Sequence, residues 1–342
     1  MIATTAGAPI RVGITGVGAC VPDEIVTNDD IAERVETSDE WIVERTGIRQ
    51  RHVSGPDTAA SDLAAPAAAL ALERAGIQAS DLDLVLVATI TPDMPFPATA
   101  SVVADRIDAG QVAAYDLQAG CTWFVYALTQ AYSTIVAGLA RRVLVVGVDL
   151  LTKYLDWDDR GTCILFGDGA GAAIVGEVED GGFLSFELGN DGGHVEDLYV
   201  PAGGTRLPAS EGTVTSKDHT MKMNGREVFR FATRIMVTSA QRALESAGLG
   251  PDDVDLYVPH QANKRIIDHA VRELGIPEEK VIVNVDRFGN TSAASIPICL
   301  DEMLTNGVID PGAHVLMTGV GTGLTWGSAL IKWPAGPNGA GT

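Results

Sequence analysis

Cys121, His260 and Asn290 stand far apart in the chain, and each sits where a side chain could do chemistry. Cys121 lies in AAYDLQAGCTWFVYAL, residues 113–128, which reads as a short buried strand over 113–117, a tight turn at Gly120 and an apolar helix starting near Cys121. A thiol in the first turn of a helix faces unpaired backbone N–H groups and the positive end of the macrodipole. That setting lowers a thiol pKa and enriches the nucleophilic thiolate. The competing reading is a buried structural cysteine acting as a small hydrophobe. His260 ends the strand-like DLYVP, and Asn290 follows Gly289 in NVDRFGNTSAASIP, where asparagine ordinarily caps a helix. GVGTGLTWG, residues 319–327, supplies glycine for a permissive loop but lacks the context of a dinucleotide fingerprint. A helix-capping Cys, a strand-end His, an Asn and a glycine loop together point to acyl transfer through a thioester.

The elements that would position these residues show a duplication. ALERAGIQASDLDLVLVA (71–88) aligns with ALESAGLGPDDVDLYVPH (243–260) at an offset of 172, and RRVLVVGVD (141–149) aligns with AHVLMTGVG (313–321) at the same offset. Near-continuous apolar strands such as LDLVLVATI fit sheets covered on both faces. The expectation is therefore two similar α/β halves, residues 1–180 and 181–342, packed as a five-layer α-β-α-β-α body, with a flexible tail after about 335. Ligands of such sheets bind beyond the carboxyl ends of the strands, which gathers Cys121, His260 and Asn290 at one cleft. FGDGAGAAIVG (166–176) reads as close backbone packing near that cleft. His52, His194, His219, His269 and His314 read as surface residues.

Composition removes whole classes of function. A net charge of −21 opposes general nucleic-acid binding. No apolar run reaches the length of a membrane span, and MIATTAGAPIRV lacks the order of a signal peptide. Four scattered cysteines, Cys20, Cys121, Cys163 and Cys299, show neither a CxxC pair nor metal-like spacing, so reduced thiols, a cytoplasmic setting and no metal are expected.

With these residues in place, the chain resembles β-ketoacyl-acyl-carrier-protein synthase III, a thiolase-like condensing enzyme. TSDEWIVERTGIRQRH, DLQAGCTWFVYAL, DRGTCILFGDGAGAA, VPHQANKRI, DRFGNTSAASIP and GLTWGSAL carry the resemblance, in order, over about 11–333. It implies the initiating condensation of fatty-acid synthesis, with acyl-CoA and malonyl-acyl carrier protein as substrates, no cofactor, and a homodimer. Cys121 would be acylated, the N–H groups of Cys121 and Thr322 would form an oxyanion hole, and His260 and Asn290 would stabilise the malonyl-derived enolate. Trp41, Arg45, Arg160, Arg226 and Asn263 would hold CoA or its pantetheine arm, with Trp41 and Arg160 on opposite faces of the adenine. Lys264 and Arg265 would meet the carrier protein, acting locally because the Debye length is about 8 Å at physiological salt. Phe96, Trp123, Leu151 and Phe166 match acyl-pocket positions, with Phe96 reaching across a two-fold interface.

The chain departs from the family pattern at Arg226, often Asn there, and at Trp123, where many members have Gly. A Trp at 123 would shorten or reroute the acyl pocket, or else fill core space. Rival assignments separate on single residues. A biosynthetic thiolase needs a second cysteine in the glycine loop, and elongating synthases carry a second His in place of Asn290. A plant-type polyketide synthase fits the Trp41, Arg45 and HQANKR strings less well. A priming ketosynthase of a specialised polyketide pathway is the main alternative. A non-catalytic acyl-binding relative would have no need of Cys121, His260 and Asn290 together.

Overall fold

The computed structural model describes residues 10–335; the tail expected after about 335 lies outside them. The first sheet contains β1 (Val12–Cys20), β2 (Leu84–Ala88), β3 (Ala113–Leu117), β4 (Arg142–Leu150) and β5 (Asp168–Glu177), in the order β1-β5-β4-β2-β3. The second contains β6 (Gly182–Asn190), β7 (Leu256–Pro259), β8 (His314–Gly321) and β9 (Thr325–Lys332), in the order β7-β8-β9-β6. The two orders superimpose strand for strand: β4–β2 and β8–β7 are parallel pairs, whereas β4–β5 and β8–β9 are antiparallel. Where the first sheet has β3, the second has, among the described residues, only a parallel bridge between Tyr257 and Val281.

Five long helices make the other layers. The first, α1 (Ala60–Ala75), covers the outer face of the first sheet, and α2 (Trp123–Val136) lies between the sheets with α5 (Ser295–Thr305). On the outer face of the second sheet lie α3 (Gly225–Ser246) and α4 (Lys264–Leu274). The α-β-α-β-α order anticipated from the repeat is the observed one. The alanine-rich sequence of α1 has a packing cause, because α1 rides close on β1. A Cβ on Gly16 would stand 2.3 Å from the Ala71 carbonyl oxygen, and one on Gly18 2.4 Å from that of Ala67.

β2 is buried along its whole length, as its LVLVA sequence demands. β3, expected to be buried, is the half-exposed edge of its sheet. Its Asp116 carboxylate accepts from the N–H groups of Thr99 and Ala100 at 2.8 Å, which anchors the Thr99–Arg106 helix. Among the described residues, no helix is long and apolar enough to cross a membrane.

Candidate active site

The strand–turn–helix read around Cys121 is present, with a 3-10 turn over Gly120–Thr122 ahead of α2. Gly120 adopts φ 59°, and a Cβ there would lie 2.5 Å from the Thr322 nitrogen. Reciprocally, a Cβ on Gly321 would lie 2.4 Å from the Cys121 nitrogen. Only glycine at both positions lets the two loops bring the Cys121 and Thr322 nitrogens together. The Thr325 hydroxyl secures this approach, donating to the Ala119 carbonyl at 2.7 Å and lying 2.7 Å from the Thr122 hydroxyl. Among the described residues, neither the Cys121 nor the Thr322 N–H donates to a carbonyl in a turn or loop.

The thiol does not behave as its helix-start address suggests. Burial pushes the Cys121 pKa up to about 12, the Ser292 hydrogen bond opposes this, and the Asp149 charge adds to it. Desolvation of the thiolate therefore outweighs the helix terminus, and the resting group is a thiol.

His260 follows β7 and is buried; its N–H donates to the Thr318 carbonyl at 2.7 Å, and its Nδ1 lies 2.6 Å from the Ser295 hydroxyl. Burial lowers its pKa to about 3, so the imidazole is neutral. Asn290 is bound to the first half through its backbone: its N–H donates to the Leu165 carbonyl at 2.8 Å, and its carbonyl accepts from Gly167 at 3.0 Å. The Asn290 Oδ1 accepts from the Ser292 N–H at 2.9 Å. Ser292 in turn donates its hydroxyl to Cys121 Sγ at 3.2 Å. One short segment, residues 290–295, thus carries Asn290, touches the cysteine through Ser292 and touches the histidine through Ser295.

Gln261 braces this arrangement. Its side-chain oxygen accepts from the N–H groups of Asn284 and Val285, and its amide donates to the carbonyls of Pro259 and Ile282. Sequence reasoning missed Gln261, Ser292 and Ser295, although all three lie inside the strings that carried the resemblance. It also missed Asp149, a buried carboxylate whose Oδ1 accepts from the Ile90 N–H at 2.8 Å and from the Thr89 and Thr91 hydroxyls at 3.2 Å. A carboxylate in the apolar RVLVVGVD strand was the available signal.

A cavity of about 540 Å³ opens beside Thr322 and Gly323 and runs between Ile90, Leu151, Tyr154, Leu198 and Met221. Of the four expected acyl-pocket residues, Leu151 lines it. Phe166 is buried with Leu151, Leu155, Leu198 and Met221 in the cluster beside it. Trp123 does not line it: the indole is buried in the core between the two sheets, its Nε1 without a partner among the described residues. The apolar neighbours of α2 supply no acceptor there, so the ring fills core volume. Phe96 does not line the cavity of its own chain and is 85% exposed. His219, read as a surface residue, does line the cavity and bonds the Thr213 hydroxyl at 2.9 Å.

A second group of residues lies on a more open surface. Ser38 caps the Asp39–Thr46 helix, and Trp41 on it packs under two guanidinium groups, Arg160 at 4.9 Å and Arg45 at 5.8 Å from the ring centre. The expected pair of Trp41 and Arg160 on opposite sides of an adenine is therefore a direct cation–π contact here, held also by an Arg160 bond to the Glu36 carbonyl at 2.8 Å. Asn263 caps α4, accepting from the Arg265 N–H at 2.9 Å and donating to the Arg45 carbonyl at 3.1 Å. Lys264 is paired with Asp268 at 2.7 Å, while Arg265 lies over Phe229. Arg226 is exposed in the first turn of α3. Among the described residues, no cluster of His, Cys, Asp or Glu could hold a metal ion.

A duplicated α/β fold in layers, with a cysteine at a helix start and one segment of the other half that carries an asparagine and touches both that cysteine and a histidine, is the arrangement of the thiolase-like condensing enzymes. Known proteins agree. Residues 115–192 match the family described as 3-oxoacyl-[acyl-carrier-protein] synthase III, and residues 244–333 match its C-terminal family. A β-ketoacyl-[acyl-carrier-protein] synthase III from Desulfitobacterium hafniense is 53% identical over 95% of this chain and 98% of its own. The crystal structure of the Thermus thermophilus synthase III is 48% identical and covers 94% of this chain and 99% of its own, with a TM-score of 0.87. That of a priming β-ketosynthase from the R1128 polyketide pathway is 36% identical over 96% and 98%, with a TM-score of 0.88. The chain belongs to the β-ketoacyl-[acyl-carrier-protein] synthase III family, and it is an acyltransferase-type condensing enzyme of fatty-acid synthesis.

Proposed function

We propose that this enzyme loads an acyl-CoA primer onto Cys121 and condenses it with malonyl-acyl carrier protein, giving 3-ketoacyl-acyl carrier protein, CoA and CO₂. The observation that carries the assignment of roles is the 290–295 segment, which joins the cysteine, the histidine and the asparagine in one set of hydrogen bonds. In the first half-reaction Sγ attacks the primer carbonyl, and the developing oxyanion is held by the N–H groups of Cys121 and Thr322. Each such donor is worth roughly 100- to 1000-fold in rate.

In the second half-reaction the malonyl carboxylate leaves as CO₂, and its bonding pair passes into an enolate. His260 and Asn290 donate hydrogen bonds to the enolate oxygen. The Gln261 N–H points at the Ser295 oxygen at 3.4 Å, which leaves the Ser295 proton free to bond His260 Nδ1. That arrangement puts the imidazole proton on Nε2, as a donor must have it. The low pKa of His260 suits this role, since a neutral donor can hold the enolate oxygen without protonating it. The enolate carbon then attacks the acyl-Cys121 thioester, and the Cys121 sulfur leaves.

Trp41, Arg45, Arg160, Arg226 and Asn263 are assigned to CoA and its pantetheine arm, and an adenine on Trp41 requires Arg160 to lift off the ring. Lys264 and Arg265 are assigned to carrier-protein docking. Leu151 and the adjoining Phe166 are assigned to the acyl chain. The exposure of Phe96 supports a homodimer in which this ring is covered by a second copy.

Intact-protein mass spectrometry after mixing with a panel of acyl-CoAs tests the assignment. A single acyl adduct on Cys121, absent from Cys121→Ala, is the expected result; unmodified protein with every acyl-CoA overturns it. His260→Ala should still acylate and fail to decarboxylate malonyl carrier protein.

A further inference from the structure

Cys121 starts each cycle as a buried thiol, so acylation needs a group that takes its proton as the S–C bond forms. His260 is poorly suited, since its neutral imidazole is the donor for the second half-reaction and burial disfavours its charged form. The polar side chain that the structure places on Sγ is Ser292, at 3.2 Å. Ser292 holds left-handed backbone, φ 51°, a strained conformation for a non-glycine residue that persists where the surroundings enforce it. Behind it stands Asp149, fully buried at the end of β4. Burial raises the Asp149 pKa to about 6, and a hydrogen bond with the Ser292 side chain is the first of the influences that hold it down. Its Oδ2 faces the Ala293 N–H at 3.4 Å, on the residue next to Ser292. Cys121 and Tyr154 are the titratable groups whose own pKa values respond to the Asp149 charge.

The geometry points to Ser292 and Asp149 as the proton acceptor for Cys121 during acylation, with Ser292 touching the reacting sulfur and Asp149 acting through it as a positioning and proton-holding residue. The inference rests on Cys121 being the nucleophile. As the Sγ–H bond breaks, its proton passes to Ser292 Oγ, while the Ser292 hydroxyl proton passes to a carboxylate oxygen of Asp149. The hydroxyl rotates freely enough to serve either neighbour. The sulfur lone pair forms the bond to the primer carbonyl carbon. When the tetrahedral adduct collapses, the C–S bond to CoA breaks with its electron pair on the CoA sulfur. The proton returns along the same path to that sulfur, leaving Ser292 neutral and Asp149 ionised for the next turnover.

The test is the rate of Cys121 acylation by acetyl-CoA, followed by rapid-quench mass spectrometry from about pH 5 to pH 9. Wild-type rates should be level above neutrality and fall as the pH drops through about 6, where Asp149 takes up a proton and can accept no other. Ser292→Ala and Asp149→Asn should acylate about 100-fold more slowly and lose that inflexion, the usual weight of a general base. Decarboxylation of malonyl carrier protein, which moves no proton from Cys121, should change far less in both variants; a merely structural role would depress the two activities together. A wild-type profile without an inflexion between about pH 5 and 7.5 overturns the relay even if neither variant folds. So does a folded Ser292→Ala that acylates within about threefold of wild type and keeps the inflexion. Absence of any adduct on wild-type Cys121 would instead remove the nucleophile itself, so the two failures are distinguishable.

Discussion

Gly120 and Ser292 occupy equivalent places in the two halves, 172 residues apart, and both hold left-handed backbone, with φ of 59° and 51°. Each opens a three-residue 3-10 turn, and each turn runs into a buried helix, Trp123–Val136 in one half and Ser295–Thr305 in the other. The duplication has kept the backbone of this junction and divided its chemistry. In the first half the left-handed residue must be glycine, because a side chain would strike the Thr322 nitrogen, and the nucleophile follows it. In the second half the same position has room for a side chain, and its hydroxyl reaches the sulfur of the other half. One junction presents the reacting atom and a backbone N–H. The other presents the side chains that orient it.

Substitutions at the paired positions should break this comparison most sharply. Gly120→Ala adds both a strained φ and a Cβ 2.5 Å from the Thr322 nitrogen, so the approach of the two N–H groups must fail. Single-turnover acylation should fall by roughly 100- to 1000-fold, the weight of a lost oxyanion donor. An acylation rate near wild type would show that the two loops are not held by that contact.

The buried titratable groups of the two halves should respond oppositely to acid. His260, with a folded pKa of about 3, stays neutral while the unfolded chain takes up a proton, so its contribution falls as pH drops below 6.5. The full loss, reached near pH 3, is on the order of 5 kcal/mol. Asp149 runs the other way: its folded pKa of about 6 lies above the ordinary carboxylate value of 3.8, so its contribution is present below 3.8 and lost as pH rises through 6. Melting curves of His260→Ala from about pH 4 to 7 should therefore be flatter than those of wild type, or reversed in slope. Parallel curves would place the acid sensitivity elsewhere.

Ser292→Gly removes the hydroxyl but accommodates φ 51°, so stability should change by only about 1 kcal/mol in chemical denaturation. Ser292→Ala keeps a Cβ in the strained region and should be the less stable of the two. The smallest effect on activity is expected at Trp123→Phe in the interlayer core. Among the described residues the indole N–H has no partner to lose, but the smaller ring leaves a cavity in a closed core and costs about 1–3 kcal/mol of stability. The set of acyl-CoAs accepted should not change; a shift in primer length would return Trp123 to the acyl pocket.

The legible part of the site was the local part. A buried five-residue run of Leu and Val at β2, the Gly120 turn and the alanine-rich helix are set by neighbours in sequence, and the repeat joined them into two halves. Trp41 and Arg160 could be brought together only through the resemblance, whereas the repeat already gathered Cys121, His260 and Asn290 at one cleft. Two readings turn on the same cause. β3 reads as buried from its sequence, and the edge position that exposes it is a property of the sheet. For Trp123 the sequence leaves the acyl pocket and the core both open, and the orientation of α2 turns it into the core.

The sequence by itself determined which residues could do chemistry and the strand–turn–helix units that carry them, because turn glycines, caps and apolar periodicity act over a few residues. Tertiary structure alone decided the state of those residues. Whether Cys121 rests as thiol or thiolate depends on burial beneath a second half, on a carboxylate 28 residues along the chain and on a hydroxyl 171 residues from the sulfur it meets. Desolvation and charge act through space, and only the packed halves bring those groups within reach.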